Sequence, residues 1–282
     1  MNPHHSRSAR ELLAFYLEAG VDAALGESAT DRFADPAGVA AAPPAALPRP
    51  TGTGRNPSVD RVQLRPPLAG APSPVSPDGA VMAAREEAKG ARTLDELRSI
   101  LNGFTGCPLR VTATQLVFAD GNPAARIMFV GEAPGREEDI AGLPFVGRSG
   151  QLLDRMMAAI GLTRAEAYIA NIVPWRPPGN RTPTPQESAI CLPFTLRQIE
   201  LVDPDVLVCL GGPSAQTLLA IRDGILRTRG RWFPFHTGTR EIRATATLHP
   251  AYLLRQPLQK RLAWRDFLAI KKALGPARSP SP

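Results

Sequence analysis

Residues 126–135 read Arg-Ile-Met-Phe-Val-Gly-Glu-Ala-Pro-Gly, an apolar run that ends in a turn rich in glycine and proline. A short apolar run bounded by turn residues is typical of a strand buried on both faces of a parallel sheet. Three further strands are predicted along the chain, at residues 167–173, 205–211 and 242–248. Amphipathic stretches separate them, and this alternation predicts an α/β fold, a three-layer αβα sandwich with a central four-stranded parallel sheet.

Amphipathic segments predict the helices of this fold. Thr93 is a predicted N-cap, and Glu96 stands at the capping-box position of the helix that starts there. Further helices are predicted over residues 149–160, 185–201, 213–221 and 260–273. Because ligands of open parallel sheets bind beyond the carboxyl ends of the strands, we expect the functional residues to follow those ends.

The first part of the chain has a different composition. Residues 35–78 hold 11 prolines among 44 positions, which predicts a flexible tether. We therefore expect an N-terminal helical segment (1–34), a linker (35–85), a catalytic domain (86–275) and a disordered tail (276–282). The apolar face of a predicted helix at residues 9–24 docks either on the main domain, which we favour, or on a repair partner.

Charge and cysteine content exclude several classes of protein. The chain has 282 residues and a net charge of +7, and residues 222–282 carry thirteen Lys and Arg against three acidic residues. Such a basic region is typical of proteins that bind nucleic acid. The alternative is that these arginines only form a solvated surface. The sequence has no run of the ~18 apolar residues that a membrane span needs, and no apolar h-region follows its first residues, so we expect neither a membrane span nor a secretory signal. Three cysteines argue against a disulfide scaffold, so we expect a soluble cytoplasmic protein.

Polar motifs follow three of the predicted strands. After the first come Gly-Glu-Ala-Pro-Gly-Arg-Glu-Glu-Asp (131–139) and Gly-Leu-Pro-Phe-Val-Gly-Arg-Ser-Gly (142–150). The second leads into Asn-Ile-Val-Pro-Trp-Arg-Pro-Pro-Gly-Asn-Arg-Thr-Pro (171–183), and the fourth ends in His-Pro-Ala-Tyr-Leu-Leu-Arg (249–255). No strand is followed by Gly-x-Gly-x-x-Gly or a P-loop, which argues against a nucleotide-binding enzyme. The set resembles the family 4 uracil-DNA glycosylases over roughly residues 90–274.

The chemistry of uracil excision requires residues of these types. The enzyme must flip the nucleotide out of the helix, hold the base edge, stabilise charge on uracil O2 and admit a water molecule. Asn171 offers a donor and an acceptor that match O4 and N3–H of uracil, the role that the resemblance implies for it. His249 can donate a hydrogen bond to the charge that develops on O2. Phe145 can stack on the flipped base. The alternative is that its ring only fills space in the hydrophobic core.

Two residues are candidates for positioning the water molecule that attacks the sugar. Related glycosylases place Asp where family 4 enzymes and this chain have Ala133, so Glu132 and Asn180 remain. The resemblance places Glu138 near C5 of uracil, where it excludes the methyl group of thymine. The alternative is that Glu138 is an exposed acid near a helix start, which the helix dipole favours. Gly131 completes the expected uracil site.

Contacts with DNA are expected around this site. The resemblance implies that the loop after His249 enters the minor groove, with Tyr252 on it and Arg255 filling the gap left by the flipped base. Phosphate contacts are expected from four further residues: Arg148, Ser149, Arg176 and Arg181.

The chain departs from the family at the iron–sulfur site. Most family 4 enzymes bind a [4Fe–4S] cluster through four cysteines, and the corresponding residues here are Phe104, Cys107, Trp175 and Cys191. Two thiolates cannot supply four-thiolate ligation, and Cys209 lies inside a predicted strand. We therefore expect no cofactor, with the two rings filling the volume of the cluster. The alternative is that Cys107 and Cys191 bind a different metal.

Together these features predict a monofunctional uracil-DNA glycosylase of base-excision repair, a hydrolase that releases free uracil and leaves an abasic site. The motifs contain no evident Lys nucleophile, so strand cleavage through a Schiff base is not expected. Alternatives are a non-catalytic reader of uracil- or abasic-DNA, and a variant in which His249 links itself to the sugar. The second is disfavoured because the chain lacks an obvious basic insertion before His249. We expect the protein to act in the bacterial cytoplasm, at the nucleoid.

Overall fold

The computed structural model describes residues 77–275. The predicted N-terminal helix, most of the predicted linker and the C-terminal tail lie outside the described residues. The strands are β1 (Asp120–Gly121), β2 (Ile127–Gly131), β3 (Tyr168–Asn171), β4 (Val206–Leu210), β5 (Trp232–His236) and β6 (Glu241–Thr247). They form one mixed sheet in the order β1-β3-β2-β4-β6-β5.

The four central strands of the sheet, β3, β2, β4 and β6, run parallel, which confirms the predicted parallel sheet. The two edge strands were not predicted, and both pair antiparallel, β1 with β3 and β5 with β6. Strand β5 contains Pro234, a residue that cannot donate to a ladder and is therefore confined to sheet edges.

Helices cover both faces of the sheet. They are α1 (Pro77–Gly90), α2 (Leu94–Gly103), α3 (Leu109–Thr112), α4 (Arg136–Ala141), α5 (Arg148–Ala159), α6 (Pro185–Val202), α7 (Gly212–Leu219), α8 (Ile225–Thr228), α9 (Pro250–Arg255) and α10 (Lys260–Leu274). Short 3₁₀ helices lie at Arg164–Glu166, Pro178–Asn180 and Pro257–Gln259.

The start of the domain corrects one prediction from the sequence and confirms another. Helix α1 begins at Pro77, so residues 77–85 are helical although they fall in the segment predicted as linker (35–85). Alanines at positions 80, 84 and 88 are buried along one side of α1, and this packing explains the helix. The predicted N-cap of α2 is confirmed, because the Thr93 hydroxyl accepts a hydrogen bond from the Glu96 amide at 3.1 Å.

Side chains of the parallel strands alternate between two apolar layers. In β2, Ile127 and Phe129 face α5 and α10, and the Phe129 ring stacks on Phe267 with centroids 6.0 Å apart. Met128 and Val130 face the opposite layer, which contains α1, α2 and α6. Burying one such side chain contributes about 1.5–3 kcal/mol. The two layers around one sheet confirm the predicted three-layer sandwich.

The register of the sheet sets the position of the functional residues. Gly131, the last residue of β2, lies beside Asn171, the last residue of β3. Strand β6 ends at Thr247, and two residues later His249 is the N-cap of α9. The polar motifs therefore meet at one edge of the sheet. Within residues 77–275, no helix combines the length and apolarity that crossing a membrane requires.

Candidate active site

A cavity of about 570 Å³ opens at the carboxyl ends of the parallel strands. Most of the predicted site residues line it: Glu132, Ala133, Glu138, Phe145, Ser149, Asn171, Asn180, Arg181, His249, Tyr252 and Arg255. Gly131, Arg148 and Arg176 are not among its lining residues. Gly211, Ile225 and Leu248, which have no distinctive motif in the sequence, complete part of its wall.

Asn171 places an unsatisfied acceptor at the cavity. Its side chain is only 4% exposed, and its Oδ1 has no hydrogen-bond partner among the described residues. Gly131 makes room for it, because a Cβ at that position would collide with Asn171 Oδ1 and with the Phe145 ring. A buried acceptor without a partner costs about 1–3 kcal/mol, which a ligand N–H can recover.

His249 is held as a neutral hydrogen-bond donor. Its Nδ1 accepts a hydrogen bond from the Ala251 amide at 3.1 Å, so the ring proton resides on Nε2. Burial, followed by the positive charge of Arg255, lowers the pKa of His249 to about 4, against the opposing effect of Glu138. At neutral pH the imidazole is therefore uncharged and has one N–H to donate from Nε2.

Phe145 forms an apolar wall of the same cavity. Its side chain is 4% exposed, and its ring centroid lies 5.6 Å from that of the His249 imidazole. The backbone has a φ of 53°, in the left-handed region that few residues other than glycine adopt. The ring is thus both buried and part of the cavity surface, which combines the two alternatives that the sequence left open.

Glu138 is not an exposed acid, so that sequence-based alternative is wrong. The side chain is 7% exposed and its carboxylate is bound by three backbone amides. Oε2 accepts from Gly135 N at 3.1 Å, while Oε1 accepts from Val146 N at 3.1 Å and from Gly147 N at 3.0 Å. The carboxylate therefore joins the start of α4 to the loop that carries Phe145.

The two candidates for water positioning differ in their surroundings. Glu132 Oε1 is buried and has no hydrogen-bond partner among residues 77–275. Burial raises the pKa of Glu132, while a hydrogen bond from Thr182 lowers it. Asn180 is exposed with a φ of 57°, and its Oδ1 already accepts from Arg176 Nε at 2.7 Å. Glu132 thus has an unpaired, buried oxygen beside the cavity, whereas the exposed Asn180 oxygen already accepts one hydrogen bond.

The predicted DNA contacts fall into three groups. Arg148 and Arg255 are exposed and make no ion pair with another residue of the described part. The Arg181 guanidinium instead makes two hydrogen bonds of 2.8 and 2.7 Å to the Glu187 carboxylate. The Arg176 guanidinium donates a hydrogen bond from Nε to Asn180 Oδ1. It also forms an ion pair with Asp139, whose Oδ2 lies 3.9 Å from Nη1. The remaining two lie at the cavity, Ser149 in the first turn of α5 and Tyr252 in α9.

The residues at the iron–sulfur positions do not fit a four-thiolate cluster. Phe104 and Trp175 are 3% and 2% exposed, and the Phe104 ring packs edge-on against Phe194 at 5.0 Å. The remaining thiols contact each other, with Cys107 Sγ 3.8 Å from Cys191 Sγ. Within residues 77–275, no three His, Cys, Asp or Glu side chains are grouped to hold a metal ion. Packed rings thus stand at two of the four positions that the family resemblance assigns to cluster ligands.

Comparison with known proteins identifies the class. The family model of the uracil DNA glycosylase superfamily matches residues 118–268, more than half of the chain, and the chain belongs to this superfamily. Within it, the chain is similar to enzymes named type-4 uracil-DNA glycosylase. The one from Thermotoga maritima is 47% identical over 171 residues, which cover 58% of this chain and 86% of the relative. The one from Archaeoglobus fulgidus is 39% identical over 187 residues, covering 65% and 94%. The predicted family is confirmed.

Proposed function

We propose that this chain is a uracil-DNA glycosylase that hydrolyses the N-glycosidic bond of deoxyuridine in DNA during base-excision repair. Uracil is released, and an abasic site remains. The names of the curated relatives support the activity. The observation that carries the proposal is that an unpaired buried amide oxygen, on Asn171, and a neutral imidazole, on His249, line one cavity.

Recognition of the base rests on Asn171 and Phe145. The Asn171 amide accepts from uracil N3–H through Oδ1 and donates to O4 through Nδ2. Cytosine presents the reverse pattern, an acceptor at N3 and a donor at N4, so the same amide orientation rejects it. The Phe145 ring supplies an apolar surface on which the flipped base stacks. We retain as a proposal that Glu138 also limits space at C5, although its carboxylate is bound by backbone amides.

Bond cleavage depends on His249. As the glycosidic bond breaks, its electron pair moves into the uracil ring and negative charge develops on O2. The Nε2–H of His249 donates a hydrogen bond to that oxygen, in a cavity partly shielded from water, where such a bond is stronger than in solvent. Because the imidazole is neutral and its Nδ1 accepts from the Ala251 amide, its single N–H stands at Nε2 and is available for this hydrogen bond.

Water then adds to C1′ of the sugar. The unpaired Oε1 of Glu132 supports a role in orienting this water, and the raised pKa suits the carboxylate to accept the proton that the water releases as its oxygen bonds to C1′. Asn180 is the weaker candidate, since its oxygen is bound to Arg176. No lysine lines the cavity in the described part of the chain, which supports a monofunctional enzyme without Schiff-base chemistry.

DNA binding is assigned to the rim of the cavity. Arg255 and Tyr252 follow His249 on α9, where we propose that they enter the minor groove and fill the gap left by the flipped nucleotide. Arg148 and Ser149 at the start of α5 are proposed phosphate contacts. Arg176 and Arg181 instead stabilise the loop around Asn180 through Asp139 and Glu187.

We also propose that the enzyme works without an iron–sulfur cluster, in the cytoplasm. Tight packing of Phe104 and Trp175 supports this, because rings at two ligand positions replace coordination by apolar contact. The function is tested by incubating the protein with an oligonucleotide that has one uracil, then cleaving abasic sites with alkali. Cleavage at the uracil position, absent from a matched thymine oligonucleotide, is expected; an uncut strand contradicts the proposal.

A further inference from the structure

The backbone at Phe145 adopts a conformation that its neighbours must enforce. Its φ of 53° is unfavourable for a residue with a Cβ, yet its ring is held in the cavity wall. Such a conformation persists only where surrounding contacts over-determine it. Phe145 belongs to the segment 142–147 that joins α4 to α5, and side chains from outside this segment hold it in place.

Arg164, from a 3₁₀ helix that precedes β3, supplies such contacts to the carbonyl side of the segment. Nη2 donates to Pro144 O at 2.7 Å, and Nη1 donates to Phe145 O at 2.9 Å. The guanidinium is itself oriented by two carboxylates, Asp120 at 2.8 Å and Asp154 at 3.1 Å. Its planar fork thus binds two successive carbonyl groups in one geometry, which a lysine ammonium cannot reproduce.

The amide side of the same segment is held by Glu138. Its Oε1 accepts from Val146 N and Gly147 N, the two residues that follow Phe145. The peptide groups on both sides of Phe145 are therefore fixed by charged side chains of opposite sign, Arg164 on the carbonyls and Glu138 on the amides.

We propose that Arg164 is a positioning residue for base recognition, acting through Phe145. It holds the ring in the orientation that stacks on the flipped uracil and contacts His249. This inference rests on the proposed function. Without Arg164 the segment can relax toward an ordinary φ, and the ring no longer forms the cavity wall. Since stacking stabilises the bound base both before and during bond cleavage, its loss raises KM more than it lowers kcat.

The test compares Arg164→Gln, Arg164→Lys, Phe145→Ala and the double variant Arg164→Gln with Phe145→Ala. Arg197→Gln is the matched control, because Arg197 also donates twice to one carbonyl, Ala91 O, and pairs with Glu200. It does not line the cavity. Steady-state uracil release gives kcat and KM, and thermal unfolding identifies variants that do not fold.

We expect KM to rise about tenfold or more in Arg164→Gln while kcat changes less, with no rescue by lysine. The double variant should match Phe145→Ala, because the two residues act in series. Arg197→Gln should leave both constants unchanged. Additive losses in the double variant, full rescue by lysine, or a fall in kcat alone would overturn the proposal.

A second readout does not depend on turnover. The Phe145 ring lies close enough to His249 to shift the NMR signals of its imidazole protons by ring current. In Arg164→Gln and Arg164→Lys these signals should move toward their positions in Phe145→Ala, whereas in Arg197→Gln they should stay. Unmoved signals in folded Arg164 variants would refute the positioning role. Absence of uracil release from the wild type would refute the proposed function instead.

Discussion

The Phe145 ring and the His249 imidazole lie with their centroids 5.6 Å apart and their planes inclined by 32°. One residue follows β2 and the other follows β6, so the sheet brings together a stacking surface and a hydrogen-bond donor. A base stacked on Phe145 has its polar edge within the same cavity as His249 and Asn171. We propose that base recognition and bond cleavage both depend on this relationship.

Removing the imidazole should abolish most of the activity. His249→Ala is expected to slow uracil excision by about 10²–10³-fold, because the charge on O2 loses its donor. Single-turnover excision measures the effect, and circular dichroism verifies folding. His236→Ala is the control, since His236 accepts a similar bond from Gly238 N at 3.1 Å but lies exposed on β5. Equal activity in the two variants would place the catalytic donor elsewhere.

Protonation of His249 should destabilise the folded protein. Its pKa is about 4 when folded, below the ordinary value of 6.5, so the unfolded chain binds this proton more readily. The free energy of unfolding should therefore fall by up to about 3 kcal/mol as pH drops from 6.5 to 4, and this contribution is fully present above pH 6.5. Denaturant unfolding of wild type and His249→Ala isolates the effect. Parallel pH profiles of the two proteins would contradict the lowered pKa.

Replacing the Asn171 amide should weaken recognition of uracil without unfolding the sheet. Asn171→Asp replaces the donor to O4 with an acceptor, so uracil excision should fall by about 10²-fold or more. Cytosine, which presents a donor at N4, becomes the better matched base. Excision from paired uracil and cytosine oligonucleotides measures the change. Asn122→Asp, in an exposed turn, should behave as wild type; wild-type uracil release by Asn171→Asp would remove Asn171 from the site.

Arg148 and Arg181 should differ in the salt dependence of DNA binding. Arg148, a proposed phosphate contact, has no ion pair in the described structure, so Arg148→Gln should lower the slope of log affinity against log salt by about one. Arg181 is bound to Glu187, so Arg181→Gln should lower the unfolding temperature and leave the slope unchanged. Fluorescence anisotropy with an abasic-site analogue gives both slopes. The reverse ranking would show that Arg181 is the phosphate contact.

Cys107 and Cys191 should be dispensable for activity. Cys107 and Cys191 are fully buried and contact each other, so the double variant Cys107→Ser with Cys191→Ser tests packing rather than coordination. We expect excision within about threefold of wild type, as for small core changes that leave a site in place. Purified wild type should contain no stoichiometric iron. Stoichiometric iron with the visible absorption of a cluster, lost in the variant, would refute a cluster-free enzyme.

The sequence predicted β2, β3 and β4 because each is largely apolar and buried on both faces, whereas β6 was predicted as the segment that ends at the His249-Pro250 motif. It gave no comparable signal for the edges, since β1 has only two residues and β5 contains Pro234 and alternates in exposure. Helix α1 was not predicted because the sequence before it is rich in proline. Its burial depends on packing against α6.

Asn171 and His249 could be predicted because they follow strand ends within distinctive motifs. The roles of the charged residues could not, because they depend on partners distant in sequence. Arg164 meets Pro144 and Phe145 only after folding, and no motif marks it. Glu138 similarly becomes buried only when the segment around Val146 closes over it.

The most direct test of the central claim is free uracil released by the full chain from excess uracil-containing DNA, with Asn171→Asp and His249→Ala in parallel. We expect the wild type to release many uracil molecules per protein molecule and both variants to retain only a small fraction of that activity. DNA that binds without release of uracil, or that becomes covalently attached to His249 after one turnover, would contradict this expectation.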